Sequence, residues 1–210
     1  HAFQYAVENY PNTIAIRCGE DQASYLEYGE GVAAIAAFLT SQGIVKGERV
    51  AICDSSSISL PMLIFGVLSA GAQATLINPN YTEREINPLL DISEPKLIFH
   101  DATSQAAIEN ASEGREIRLI DTAEPAENWQ DKSVTSLPSA LPRAEDGAII
   151  MFTGGTTGVS KGVPHSHAKG IAAMQIQEDR WPTDIGTDIW LNVPPLFHIT
   201  GLYHGCFQPI

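Results

Sequence analysis

A five-residue apolar run, Ala148-Ile149-Ile150-Met151-Phe152, passes directly into the ten-residue stretch Thr153-Gly154-Gly155-Thr156-Thr157-Gly158-Val159-Ser160-Lys161-Gly162. The run reads as a buried strand. Gly154, Gly155 and Gly158 let the backbone turn tightly and approach a ligand without a Cβ in the way. The hydroxyls of Thr153, Thr156 and Thr157 and the ammonium of Lys161 face whatever the loop holds. Backbone N–H groups, neutral donors and one mobile cation together suit a polyphosphate. The loop is not a P-loop, which needs Gly-Lys-Ser/Thr opening a helix. Here Lys161 stands between Ser160 and Gly162, and Val163-Pro164-His165 predicts a second strand. The loop therefore joins two strands and is placed to swing as a flap.

Alternation of short apolar runs with helical patterns surrounds this feature. Ile14–Cys18 and residues 23–25 predict a hairpin around a turn at residues 19–22. Helices are predicted over residues 26–42, stopped by Gly43, over 59–70, capped by Gly71, over 83–90, over 104–110 and over 167–179. Strands are predicted over residues 49–53, 72–77, 96–100, 116–120 and 188–193, and a last helix from Gly201. This order argues for an α/β fold with a mostly parallel sheet and helices on both faces. Residues 122–146, rich in Pro, Ser, Glu and Ala, read as a surface connection between two α/β portions.

Charge and cysteine content narrow the class. With 25 acidic and 12 basic residues the net charge is −13, which sets nucleic acid and anionic membranes aside as partners. Such a protein needs local positive charge to hold a polyphosphate, which draws attention to Lys161. Cys18, Cys53 and Cys206 are odd in number and far apart, fitting neither a disulfide framework nor a metal site and suggesting a reducing cytoplasm. The uncharged stretch Leu60–Ile77 is interrupted by Pro61, Gly66, Gly71 and Gln73, so no transmembrane segment is expected. No signal peptide is read at His1. His165 and His167, two apart, would share a face on a strand, but a zinc site needs a third ligand and none is evident, so no residue is assigned to a metal. No serine sits in a Gly-x-Ser-x-Gly elbow that turns a strand into a helix, and Gly-x-Gly-x-x-Gly does not occur, so a hydrolase triad and a nicotinamide site have no anchor. The separated Trp129, Trp181 and Trp190 are expected to pack.

The glycine–threonine stretch resembles the signature loop of the adenylate-forming enzymes, which include acyl-CoA synthetases, luciferases and the adenylation domains of peptide synthetases. It departs from that signature at Ser160, where proline is usual. Four further segments resemble the family in the right order: Ser24-Tyr25-Leu26-Glu27-Tyr28, Gly66–Ala72 with Ile77-Asn78-Pro79-Asn80-Tyr81-Thr82, Ser166-His167, and Pro195-Leu196-Phe197-His198-Ile199-Thr200-Gly201. No acid stands in Leu196-Phe197-His198, which favours a substrate other than an amino acid and the fatty-acyl or 4-coumarate type of CoA ligase.

The resemblance implies a reaction. A carboxylic acid attacks the α-phosphate of ATP, with Mg2+ sharing the phosphate charge, and the acyl-adenylate is captured by coenzyme A. Thr153, Gly154, Gly155, Thr156, Thr157, Gly158 and Lys161 would hold the nucleotide phosphates, and His198 would line the acyl pocket beside the carboxylate. The family's later adenine, ribose, hinge and C-terminal lysine motifs are not found before Ile210. Residues 1–210 are thus expected to be the N-terminal part of an adenylation domain, inactive alone, weakly polyphosphate-binding and prone to self-association. Two other readings stay open: a non-catalytic nucleotide- or acyl-binding module, and an adenylating enzyme with an acceptor other than coenzyme A.

Overall fold

The structure is a computed structural model that describes residues 2–123, 133–138, 142–153, 160–184 and 187–209. Chain order is α1 (Ala2–Asn9), β1 (Ile14–Cys18), β2 (Asp21–Ser24), α2 (Tyr25–Ser41), β3 (Arg49–Cys53), α3 (Ser59–Ser69), β4 (Gln73–Leu76) and α4 (Glu83–Ser93). It continues with β5 (Leu97–His100), α5 (Gln105–Ser112), β6 (Arg118–Asp121), β7 (Gly147–Thr153), β8 (Lys161–Ser166), α6 (His167–Arg180) and α7 (Ile199–Leu202). A π-helical turn, Tyr203–Phe207, follows α7 directly.

Six strands form one sheet in the order β6-β5-β3-β4-β7-β8, and β1 and β2 form a separate antiparallel pair. Every neighbouring pair in the large sheet is parallel except β7 and β8. Central β3 is buried on both faces, which is why it reads as an unbroken apolar run. Val50 and Ile52 point to the side covered by α2 and α3, where they meet Ile35, Leu39, Leu63 and Val67. Ala51 and Cys53 point to the other side, covered by Ile86, Leu89 and Leu90 of α4 and by Ile108 of α5. Helices therefore lie on both faces, as the alternation predicts. Leu63 is fully buried, and truncating such a residue to alanine typically costs about 2–5 kcal/mol.

Local chemistry explains the helix ends. Ser24 Oγ accepts from the Glu27 amide at 3.3 Å, and Glu27 Oε2 accepts from the Ser24 amide at 2.8 Å, a capping box that starts α2. Glu85 Oε2 accepts from the Thr82 amide at 2.9 Å and from the Thr82 hydroxyl at 2.7 Å, fixing the start of α4. Gly43 and Gly71 take positive φ just past α2 and α3, a conformation that strains any other residue.

The structure corrects several boundaries. The helix predicted to stop at Leu90 runs to Ser93, because the Arg49 guanidinium donates to the Ser93 carbonyl at 2.7 Å and to the Glu94 carbonyl at 3.3 Å. The last helix begins at Ile199, not Gly201, because His198 caps it. Helix α1 carries no expectation from sequence: it buries only Phe3 and Ala6, too few for a period to show. Residues 188–193, predicted as a strand, are neither strand nor helix. Ile189, Leu191 and Val193 do alternate, but they are 96%, 87% and 78% exposed, and a strand exists only with a partner to bond. Trp181, expected to pack, is exposed. Within the predicted connection 122–146, residues 124–132 and 139–141 lie outside the described residues, as does Trp129, and residues 133–138 adopt neither helix nor strand.

Candidate phosphate-binding hairpin

Because β7 runs parallel to β4, Thr153 emerges at the carboxyl edge of the sheet, level with the ends of β3 and β5. The chain returns as β8, and the pairs Thr153↔Lys161, Phe152↔Gly162 and Met151↔Val163 close an antiparallel hairpin. The two-strand expectation for the glycine loop is thus met. Of the predicted loop residues, Thr153 and Lys161 form the last pair of this ladder; Gly154, Gly155, Thr156, Thr157 and Gly158 lie outside the described residues. Thr153 and Lys161 are both exposed. Among the described residues neither side chain has a hydrogen-bond or ion-pair partner, so a hydroxyl and an ammonium are left to meet a ligand.

Strand β8 is the edge of the sheet. Pro164, which has no N–H to donate, suits that edge. Ser166, the serine of the Ser-His pair, caps α6 by accepting from the Lys169 amide at 3.3 Å. His165 and His167 do not act together. The His165 Nδ1 lies 3.1 Å from the Tyr203 hydroxyl, whereas the buried Nε2 of His167 has no partner among the described residues. Burial holds both imidazoles below the usual histidine range. No group of three His, Cys, Asp or Glu stands close enough to hold a metal among the described residues.

His198 is exposed, and its Nδ1 accepts from the Thr200 amide at 3.3 Å. With Nδ1 engaged there, Nε2 is the ring nitrogen left to offer an N–H. No hydrogen bond joins His198 to Thr153 or Lys161 among the described residues. What ties the two motifs together is Tyr203, which follows α7 and bonds His165 of β8. Sequence reasoning missed this link, since a hydroxyl–imidazole contact across 38 positions leaves no local pattern.

A second polar cluster sits on the same sheet edge. The connections leaving β3 and β5 run in opposite directions, so their loops diverge and leave a crevice, the usual ligand position in such sheets. Here it is filled. Asp101 Oδ2 accepts from the Ser55 amide at 3.0 Å, and Asp101 Oδ1 accepts from the Ser104 amide and hydroxyl, both at 3.0 Å. The Ser104 hydroxyl also donates to the Cys53 carbonyl at 2.6 Å. Burial pushes the Asp54 carboxyl up to about 6, and the nearby Asp101 charge adds to the rise. Burial pulls Asp101 the same way, but its bonds from Ser55 and Ser104 together hold it below the usual carboxylate range. Burial pushes the Cys53 thiol up to about 12, so it stays protonated and unreactive.

At the opposite, amino edge of the sheet lies an open groove of about 340 Å³ lined by Arg49, Lys96 and Arg115. Its arginines are already engaged. Arg49 holds the end of α4, and Arg115 donates to Asp91 at 2.7 Å, to Asn87 at 3.2 Å and to the Ala111 carbonyl at 2.9 Å. With Glu94 and Glu116 also on its wall, the groove offers an anion little net charge. The hairpin at the carboxyl edge is the better candidate.

Known proteins bear on this assignment. A family model described as AMP-binding enzyme matches residues 3–210. A probable CoA ligase, CCL5, of Humulus lupulus is 31% identical over 184 residues, covering 81% of this chain and 33% of the relative. The peroxisomal OPC-8:0-CoA ligase 1 of Arabidopsis thaliana is 30% identical over 188 residues, covering 85% of this chain and 34% of the relative. The chain thus spans about a third of the length of these curated relatives. The inhibitor-bound N-terminal domain of FACL13 from Mycobacterium tuberculosis superposes with a TM-score of 0.88 at 25% identity, over 99% of this chain and 53% of that one. With a family match across nearly its whole length and the signature hairpin at the sheet's carboxyl edge, the chain belongs to the AMP-binding enzyme family.

Proposed function

We propose that this chain is the N-terminal part of the adenylation domain of an acid–thiol ligase. The observation that carries the reading is the hairpin that delivers Thr153 and Lys161, both without partners among the described residues, to the sheet's carboxyl edge. A carboxylate oxygen attacks the α-phosphorus of ATP. The bond from that phosphorus to the bridging oxygen breaks, and the electron pair leaves with pyrophosphate. Lys161 neutralises charge gathering on the leaving phosphates, and the hydroxyls of Thr153, Thr156 and Thr157 orient them. Gly154, Gly155 and Gly158 bring the backbone N–H groups close. His198, with its Nδ1 used as a cap, offers Nε2–H to the carboxylate at the acyl pocket. Magnesium, as the counter-ion of ATP, would share the phosphate charge with Lys161.

Coenzyme A as acceptor is supported by the two CoA ligases that the chain resembles. A fatty-acyl or 4-coumarate-like acid fits the absence of an acidic residue in Leu196-Phe197-His198. Three free cysteines fit a reducing, cytoplasmic setting. No described helix is long and apolar enough to cross a membrane. The exposed Ile189, Leu191 and Val193 support self-association of residues 1–210, which are expected to bind polyphosphate without turnover. Ser160 in place of the usual proline removes no phosphate-binding group and leaves room for a second reading, a non-catalytic nucleotide- or acyl-binding module.

The test is carboxylate-dependent release of pyrophosphate by the whole protein across a panel of acids, with and without coenzyme A. Release with one acid class, increased by coenzyme A, is the expected result. Release indifferent to the thiol identifies another acceptor. No release with any acid from a folded protein selects the binding module.

A further inference from the structure

The phosphate-binding hairpin comes against helix α4 most tightly at a glycine. Gly162, the residue after Lys161, faces Ile92 so closely that a Cβ there would lie 2.7 Å from Ile92 Cγ2 and 3.3 Å from Ile150 Cγ2. The first distance is below ordinary van der Waals contact, so one partner would have to move. Ile92 is poorly able to do so, because a β-branched side chain in a helix has one strongly preferred rotamer. The turn that carries Ile92 is also fastened on both sides. Asp91 accepts from Arg115 at 2.7 Å, and the Ser93 carbonyl accepts from Arg49 at 2.7 Å. The far end of β8 is held too, by the 3.1 Å bond between His165 and Tyr203. A side chain added at position 162 is therefore relieved toward the loop end of the strand, where Lys161 and Thr153 form the last pair of the ladder among the described residues.

We infer that Ile92 and Gly162 are positioning residues that set the height of Lys161 over the sheet edge, and so the grip of the hairpin on nucleotide phosphates. The inference rests on the phosphate-binding reading of the hairpin and adds to it a support outside the signature stretch. Neither residue touches the ligand; both act through Lys161.

The experiment is an ATP titration of the chain followed by 1H–15N NMR, with spectral dispersion reporting the fold of each variant. Gly162→Ala is expected to weaken ATP affinity about tenfold by displacing Lys161. Ile92→Ala, which removes the support, is expected to weaken it about threefold and to shift the amide resonances of Lys161 and Gly162. In the double variant the new methyl fills the space left by Ile92, and affinity returns to within about twofold of the parent. Independent sites would instead multiply to a loss of about thirtyfold. Multiplying losses, or unchanged affinity in both single variants, overturns the inference. Should Gly162→Ala fail to fold, Ile92→Ala decides alone: unchanged affinity overturns, a loss with shifted Lys161 and Gly162 amides supports. Lys161→Ala serves as reference. If it leaves affinity unchanged, the phosphate-binding reading itself falls; if it weakens affinity while the other two do not, only the present inference falls.

Discussion

Two polar clusters share the carboxyl edge of one sheet, and they are built in opposite ways. At the ends of β3 and β5, Asp101 and Ser104 spend their polar atoms on one another and on nearby backbone. Asp54, His100 and Ser104 are buried there. At the end of β7 and β8, Thr153 and Lys161 are exposed and unpartnered among the described residues. In the first cluster Asp101 and Ser104 are spent within the fold; the second has a hydroxyl and a cation in hand among the described residues. Topology alone would favour the first, since diverging connections mark the usual binding crevice. Hydrogen-bond accounting reverses the choice, because a satisfied polar network is structural and an unspent one is available.

Substitutions separate the two clusters most clearly where their effects differ in kind. Lys161→Ala in the whole protein should slow adenylation by about 10²–10³-fold, the loss typical of removing one electrostatic contact to a developing charge. Its thermal midpoint should stay unchanged, which a melting curve checks beside the pyrophosphate assay. An unchanged rate removes the hairpin from the mechanism.

Asp54→Asn should act on stability alone. The folded pKa of Asp54 lies near 6, above its ordinary 3.8, so the protonated carboxyl contributes stability that is full below pH 3.8 and lost as pH rises through 6. At neutral pH the buried charge costs at most about 3 kcal/mol, which the amide removes. The variant should melt higher than the parent at pH 7.5, with the gain shrinking toward pH 4. A gain independent of pH contradicts the buried-charge account. Ser104→Ala strands acceptors that its hydroxyl now satisfies and should cost about 1–3 kcal/mol in chemical denaturation, with ATP affinity unaltered. A fall in ATP affinity with the fold intact would show that the crevice takes part in binding. Thr153→Val keeps the shape and removes one hydroxyl, so ATP affinity should fall about fivefold, close to one hydrogen bond, at constant stability.

Much of this was legible in the chain. Strand β3 declares itself because both its faces are buried, and α2 because its apolar residues recur at helical spacing up to Gly43. The hairpin was legible because a long glycine–threonine stretch between two strands has few uses. What was hidden depended on distant partners. The end of α4 is set by Arg49, 44 positions away in sequence from Ser93, so local propensity stops the helix too early. Residues 188–193 have the alternation of a strand, and pattern cannot show whether an edge is there to receive them. His198 was read as part of a pocket wall, and its use as a helix cap depends on a backbone amide that residue identity does not reveal. The seating of Gly162 on Ile92 is likewise a contact across the fold.

The most direct test of the contrast is a single ATP titration of the chain, read residue by residue by 1H–15N NMR. The hairpin account predicts saturable shifts at Thr153 and at residues 160–162, with the amides of Ser55, Asp101 and Ser104 unmoved. Shifts centred on Ser55, Asp101 and Ser104, or no saturable shift at any amide, would contradict it.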